Sequence, residues 1–267
     1  MRISSTANPT IKQIRQLRQR KYRDQTSNCF VEGIRIVAEA WQMGASIECM
    51  VIAPELLVSA FAWDLVEQYR AQNGRCIEVT ATVFRWLSFK EGPQGIGAVV
   101  HQQWLPLEAV QLLPQQSWVV LSTIQDPGNL GSILRTCDAT GNTGVLLLNQ
   151  ATDPYDPGAI RASMGALFTQ HLVRTDLQHF TRWQVMQQAL LVGTSGDARQ
   201  DYQAVSYRSP VLLWMGSERE GLSPEEQALC DVVVSIPMVG RVDSLNLAVA
   251  TSVMLYEILN QRRRATD

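Results

Sequence analysis

The chain has 267 residues, 46% of them hydrophobic and 18% charged, with a formal net charge of −2. That is enough apolar material for one large core or two modest ones, and too little charge for a disordered polyelectrolyte. No apolar run approaches the roughly 18–20 residues that span a bilayer, and no secretory signal is visible near residue 1, so a cytoplasmic protein that meets no membrane is expected. The five cysteines (Cys29, Cys49, Cys76, Cys137 and Cys230) are odd in number and widely spaced. This argues against a disulfide framework and against a zinc site, so no metal is expected.

Residues 1–25 carry seven cations against Asp24 alone, while the rest of the chain is mildly acidic. A helical pattern over 8–23 sets these charges around Ile11, Ile14 and Leu17. Such an arm suits RNA phosphate contact without sequence reading, or is a solvated helix. Next come predicted strands at 29–32, 49–52, 75–79 and 96–100, alternating with helices at 34–43, 57–72 and 82–89. The result is a small α/β domain over 1–100. Residues 101–116, with Pro106, Pro114 and five glutamines, are taken as a linker.

Residues 117–267 show cleaner alternation: strands at 118–122, 144–148, 189–194, 211–215 and 232–236, helices at 130–140, 157–167, 224–229 and 244–262. The strand runs are continuously apolar, as expected for parallel strands buried on both faces. An open, mostly parallel sheet follows, and such sheets bind ligands beyond the carboxyl ends of their strands.

Three strand-ending loops concentrate polar and glycine residues there. In the first, 125–135, Asn129 is expected to cap the next helix. Leu130, Ile133, Leu134 and Cys137 recur at helical spacing and face the core. Arg135 lies off that stripe, turned toward the strand ends or paired with Asp138. In the second, 214–224, Gly216 ends a strand, and Ser223, Pro224 and Glu226 form a helix start. For Glu218 and Glu220, spacing alone favours an exposed acidic turn. In the third, 236–246, Asp243 or Ser244 is expected as the cap of a helix apolar almost all round, and Asn246 needs a partner in backbone or ligand. The first loop only approaches GxGxxG, with no acidic residue ending a following strand, so a nicotinamide site is not supported. No loop holds a histidine, and the chain has no GxSxG, Walker A or HExxH segment, which disfavours serine and metal hydrolases.

In this order the loops resemble the three signature motifs of the SpoU (TrmH-type) family of RNA ribose 2′-O-methyltransferases. The first motif is matched by Asp126–Pro127–Gly128–Asn129–Leu130–Gly131 with Arg135. The second is matched by Met215–Gly216–Ser217–Glu218 through Ser223, and the third by Ile236–Pro237–Met238 with Asp243 through Ala250. Arg161, Ser163, Gly165 and Ala166 resemble a short R-x-S-x-G-A stretch between them, and Phe30–Val31–Glu32–Gly33 resembles the family's ribosomal-protein-like substrate-binding domain.

The resemblance implies an α/β catalytic domain whose C-terminal part forms a trefoil knot, a homodimer through that domain, and S-adenosylmethionine as cofactor. Thr194, Gly196, Gly216, Ile236 and Leu245 would line it. Asn129, Arg135, Glu218, Ser244 and Asn246 would form the catalytic set, with ribosomal RNA favoured over transfer RNA as substrate. Arg135 corresponds to the family's proposed general base, although an arginine that stays protonated would serve instead as a phosphate-binding cation. Arg219 stands where the family commonly has a small residue. The intact set argues against a catalytically silent RNA-binding protein.

Overall fold

The computed structural model describes residues 2–149, 151–207 and 210–266. It divides into two compact units, Met1–Gln102 with Asp153–Thr169, and Gln103–Thr152 with Gln170–Asp267.

The first unit opens with α1 (Pro9–Gln16), where Asn8 accepts from the Thr10 and Ile11 amides and Pro9 fills the first turn. Ile11, Ile14 and Leu17 are buried against Val79, Val83, Phe84 and Leu87. The helix expected over 8–23 is two helices, because the chain breaks before α2 (Arg20–Thr26). Arg23 compensates the break: its Nη1 donates to the freed carbonyls of Leu17 and Arg18 at 3.0 and 2.9 Å. The basic segment is therefore no free arm, and Lys12, Arg20 and Lys21 are the cations of the two helices left exposed.

The chain continues through β1 (Asn28–Glu32), α3 (Ile34–Gln42), β2 (Ile47–Ile52), α4 (Ala60–Ala71), β3 (Cys76–Glu78), α5 (Ala81–Leu87) and β4 (Ile96–His101). The sheet order is β1-β4-β2-β3, with β4 antiparallel to both neighbours and β2 parallel to β3. Helix α4 begins later than expected because Ser59 accepts from the Ala62 amide as its cap. The expected linker joins the second unit's core instead: Leu107 and Val110 are buried, with Leu105 and Leu112 packed beside them.

The second unit begins with β5 (Ser117–Ser122), α6 (Pro127–Ala139) and β6 (Gly144–Leu148). Residues 153–169 then cluster with the first unit, so the division does not fall at 101–116 alone. Asp153 explains this, because it pairs with buried Arg23 at 2.8 Å. Within the segment, α7 (Pro157–Ser163) is shorter than the helix expected over 157–167. It stops where Met164 and Gly165 take φ of +54° and +101°.

The chain returns to the second unit with β7 (His171–Thr175), α8 (Leu177–Val185), β8 (Leu190–Thr194), β9 (Gln200–Asp201), β10 (Val211–Met215), α9 (Pro224–Leu229), β11 (Val232–Ser235) and α10 (Leu247–Thr266). Seven strands lie in the order β7-β6-β5-β10-β8-β11-β9, all pairs parallel. Strands β7 and β9 and helix α8 were not expected. In β7 only Leu172 and Val173 are buried, because an edge strand loses the apolar signature of its inner neighbours. Helix α10, apolar almost all round in sequence, is buried on one side by the chain's own core. Thr251, Met254, Leu255 and Ile258 are buried, whereas Val249 and Tyr256 are about half exposed.

Candidate active site

In a parallel sheet every strand ends on the same edge, so loops distant in sequence meet when their strands are neighbours. Strands β5, β10, β8 and β11 are consecutive in the sheet. The loops that follow them therefore converge, although in sequence β8 precedes β10.

A chain of hydrogen bonds knits these loops, and its polarity follows from its first member. The Glu218 carboxylate can only accept. It takes the Gln125 amide at 3.1 Å, the Asp126 amide at 3.3 Å and the Asn129 side-chain amide at 2.9 Å. Asn129 must therefore turn its Nδ2 to Glu218, which leaves its Oδ1 to accept from Asn246 Nδ2 at 3.0 Å. That in turn leaves Asn246 Oδ1 for the free amides of Ala248 and Val249 at the start of α10. Asn246, rather than Asp243 or Ser244, thus caps α10, and Ser244 donates to Asp243. At α6 the cap is Asp126, not Asn129, because its Oδ1 accepts from the Asn129 amide at 2.7 Å. An Asp immediately before Pro-Gly is a helix-start signal that the sequence offered.

Beside this network lies a cavity of about 450 Å³. Thr194, Gly196, Gly216, Ile236 and Leu245 line it together, as do Glu218 and Ser244. Met215, Val234, Met238, Leu247 and Asp197 complete much of the wall, and Arg219 stands exposed at its side. Gly216 is required by a close approach, since a β-carbon there would overlap the backbone of Gly221 and Leu222. The loop folds back there through paired Ser217–Gly221 backbone hydrogen bonds. Behind it, Ser122 accepts from Trp214 Nε1 at 2.8 Å and donates to Glu226 at 2.9 Å. Glu226 also accepts from the Ser223 amide in a capping box at the helix start expected there.

Arg135 does not join the hydrogen-bonded set. It lies on α6, exposed, and has no hydrogen-bond or ion-pair partner among the described residues, Asp138 included. The face of α6 that meets α10 carries Asn129 and Thr136, the latter bonded to Ser252 at 2.9 Å. Burial pushes the Cys230 thiol up to about 12 and raises that of Cys137 as well, so neither is poised as a thiolate.

The SpoU rRNA methylase family model matches residues 116–256, and a model for an MRM3-like substrate binding domain matches 8–98. The chain belongs to the SpoU rRNA methylase family. It is 31% identical to the 23S rRNA (uridine(2479)-2′-O)-methyltransferase of Streptomyces viridochromogenes, over 91% of this chain and 86% of that one. It is 26% identical to the 23S rRNA (guanosine(2553)-2′-O)-methyltransferase RlmP of Bacillus subtilis, over 96% and 98%. The crystal structure of an AdoMet-bound rRNA methyltransferase from Sinorhizobium meliloti superimposes with a TM-score of 0.89 at 34% identity, covering 99% of this chain and 98% of the other. The family signature thus spans the second unit, and all three of its loops border the cavity or its hydrogen-bonded rim.

Proposed function

We propose that this protein transfers the methyl group of S-adenosylmethionine to a ribose 2′-hydroxyl of ribosomal RNA. The observation that carries this reading is one cavity lined by the second and third family loops, with the first tied to its rim through the bonds of Asn129 to Glu218 and Asn246. The cavity fits the cofactor. Its volume lies within the roughly 300–1,000 Å³ of small-molecule sites. A β-carbon at Gly196 would meet only the Asp243 carbonyl oxygen at 3.9 Å, so the glycine leaves space that the protein does not fill. Apolar Met215, Val234, Ile236 and Met238 face a ring system, and acidic Asp197 and Glu218 offer acceptors for hydroxyl and ammonium groups. When bound, the cofactor supplies an already activated sulfonium methyl group.

The chain's own work is then alignment and charge. Thr194, Gly196, Gly216, Ile236 and Leu245 hold the cofactor, while the Glu218–Asn129–Asn246 chain and Ser244 fix the ribose. Arg135 supplies a cation for the adjacent phosphate and for the negative charge that develops on the 2′-oxygen. The 2′-hydroxyl requirement excludes DNA as substrate. Tritiated methyl transfer from S-adenosylmethionine to fractionated total RNA, followed by nuclease mapping, tests the reading. Label in a ribose of ribosomal RNA is expected. No label in any fraction despite cofactor binding would overturn it, and label in transfer RNA alone would redirect the substrate. Gly216→Ala is expected to abolish cofactor binding in calorimetry, because the loop must move to admit the methyl group.

Homodimerisation through α10 belongs to the same reading. Val249, Val253 and Tyr256 recur at helical spacing on its open side, and Val239 and Val242 stand exposed in the preceding loop. Val249→Asp with Tyr256→Asp is expected to give monomers in sedimentation equilibrium. The trefoil knot draws support from the strand order, since the chain passes from β8 through β9 to β10 and then crosses back past β8 to reach β11. The work of such an enzyme places it in the cytoplasm, and no helix of the described residues is long and apolar enough to cross a membrane.

The first unit contacts RNA outside the catalytic cavity. Removing residues 1–25 would unfold it, since Ile11, Ile14, Leu17 and Arg23 are buried. Lys12→Ala with Lys21→Ala instead removes only exposed charge. The pair is expected to flatten the dependence of log affinity on log salt by about 1.4 for single-stranded RNA, at about 0.7 per phosphate contact. An unchanged slope would make these cations solubilising only.

A further inference from the structure

The first unit holds a second cavity, of about 250 Å³, lined by Phe30, Glu32, Ile36, Phe89, Lys90 and Arg161, among others. Its volume falls below the roughly 300 Å³ at which sites for drug-sized ligands begin, and suits one flat ring system. The walls are largely apolar: Phe30, Val31, Ile36 and Ile160 are buried. The Phe30 and Phe89 rings meet at 6.1 Å and 45°, and the Arg18 guanidinium lies 4.5 Å from the outer ring. Arg18 is itself anchored on the Leu87 and Ser88 carbonyls, so the aromatic wall is braced from behind.

Glu32 is the anomaly. It is only 8% exposed. Its Oε1 accepts from the Phe89 amide at 2.9 Å, while its Oε2 is buried and has no hydrogen-bond partner among the described residues. An unsatisfied carboxylate oxygen in such surroundings is costly, and the Arg18 guanidinium, whose own buried Nε lacks a partner among the described residues, supplies charge near Glu32 but no hydrogen bond to it. Lys90 and Arg161, which line the same cavity, have no hydrogen-bond or ion-pair partner for their charged ends among the described residues. The site therefore offers a buried acceptor, an aromatic wall and two cations.

We propose that this cavity receives a single unstacked guanine of the RNA substrate, with the Glu32 carboxylate accepting from its N1–H and N2–H donors and with Lys90 and Arg161 meeting the flanking phosphates. This rests on RNA being the substrate and adds a recognition element away from the methyl-transfer cavity. Guanine is selected because its Watson–Crick edge carries two adjacent donors. In adenine, cytosine and uracil each edge donor sits beside a ring or carbonyl acceptor that would face the carboxylate. Splayed bases held on aromatic rings and read along that edge are the usual mode of single-stranded RNA recognition.

Full-length protein is titrated with a five-nucleotide RNA of adenosines carrying a central guanosine, and with the same RNA carrying inosine, which lacks the N2 amino group. Fluorescence anisotropy is expected to show binding about tenfold weaker for inosine, the size of one charge-assisted hydrogen bond. Equal affinities in the unaltered protein would overturn the proposal without recourse to any variant. Glu32→Gln is expected to erase the difference, and persistence of the difference would remove Glu32 from the site. A central 6-thioguanosine should cross-link within 30–36, 89–90 or 157–161, and cross-links confined elsewhere would refute the location. Guanosine monophosphate binding as tightly as the oligonucleotide would replace RNA by a free nucleotide as the ligand. Methyl transfer to ribosomal RNA is assayed on the same preparation. Transfer without guanosine preference sinks the base site alone, and preference without transfer sinks the enzymatic reading alone.

Discussion

Arg135→Ala is expected to slow methyl transfer under single-turnover conditions by about 10²-fold or more, the loss typical of removing one preorganised stabiliser of transition-state charge. Cofactor affinity should stay unchanged, because Arg135 is not among the residues that line the 450 Å³ cavity. The physical basis is its isolation. Asn129, Glu218 and Asn246 hold one another and the backbone around them. Arg135, on the same helix as Asn129, is exposed and has no partner among the described residues. A free guanidinium presents a rigid fork suited to phosphate. Proton abstraction by an arginine demands burial among other cations, and this exposed position favours the phosphate role. Arg135→Lys should therefore retain part of the rate, keeping the charge while losing the fork. A near-wild-type rate for Arg135→Ala would remove this residue from the reaction.

Arg23→Met is expected to destabilise the first unit by about 3–5 kcal/mol, the usual consequence of leaving one member of a buried ion pair alone. Arg23 and Asp153 are 2% and 3% exposed. Arg23 Nε and Nη2 both reach Asp153 Oδ2 at 2.8 Å, and Nη1 satisfies the two carbonyls at the break between α1 and α2. Asp153 meanwhile orders the turn into α7 by accepting from the Tyr155 amide at 2.9 Å. The loss should appear as a lower urea midpoint for the first unit's transition. Arg23→Met with Asp153→Leu should recover much of it, because no uncompensated charge is then buried. A single-variant cost below about 1 kcal/mol would show that the pair is not a structural tie.

Much of the second unit was legible in the residues themselves. The runs WVVLS, GVLLL and VLLWM could be recognised as buried parallel strands because each residue faces an apolar layer on one side or the other. Ser223, Pro224 and Glu226 announced α9 through backbone amides that any helix leaves free. The family loops were visible for a related reason: a ligand at strand ends demands glycine and short polar residues at fixed offsets from the strands. Strand β7 and helix α8 escaped notice because half their positions face water and dilute the periodicity. The apolar pattern of α10 did not show which of its sides faces away from the chain's own core, because exposed and buried apolar residues read the same in sequence.

Taken alone, the sequence determined the catalytic family, the five inner strands of the parallel sheet and the residue types gathered at its edge, because these depend on local periodicity and on chemistry fixed within short segments. Only the tertiary structure decided that 153–169 joins the first unit, that Glu218 sets the orientation of Asn129 and Asn246, and that Glu32 keeps an unanswered acceptor in a second cavity. Each of those rests on a pairing between residues far apart in the chain, 130 positions in the case of Arg23 and Asp153. The free energy of a buried charge or amide depends on what surrounds it in space, and that surrounding is assembled only when the sheet closes.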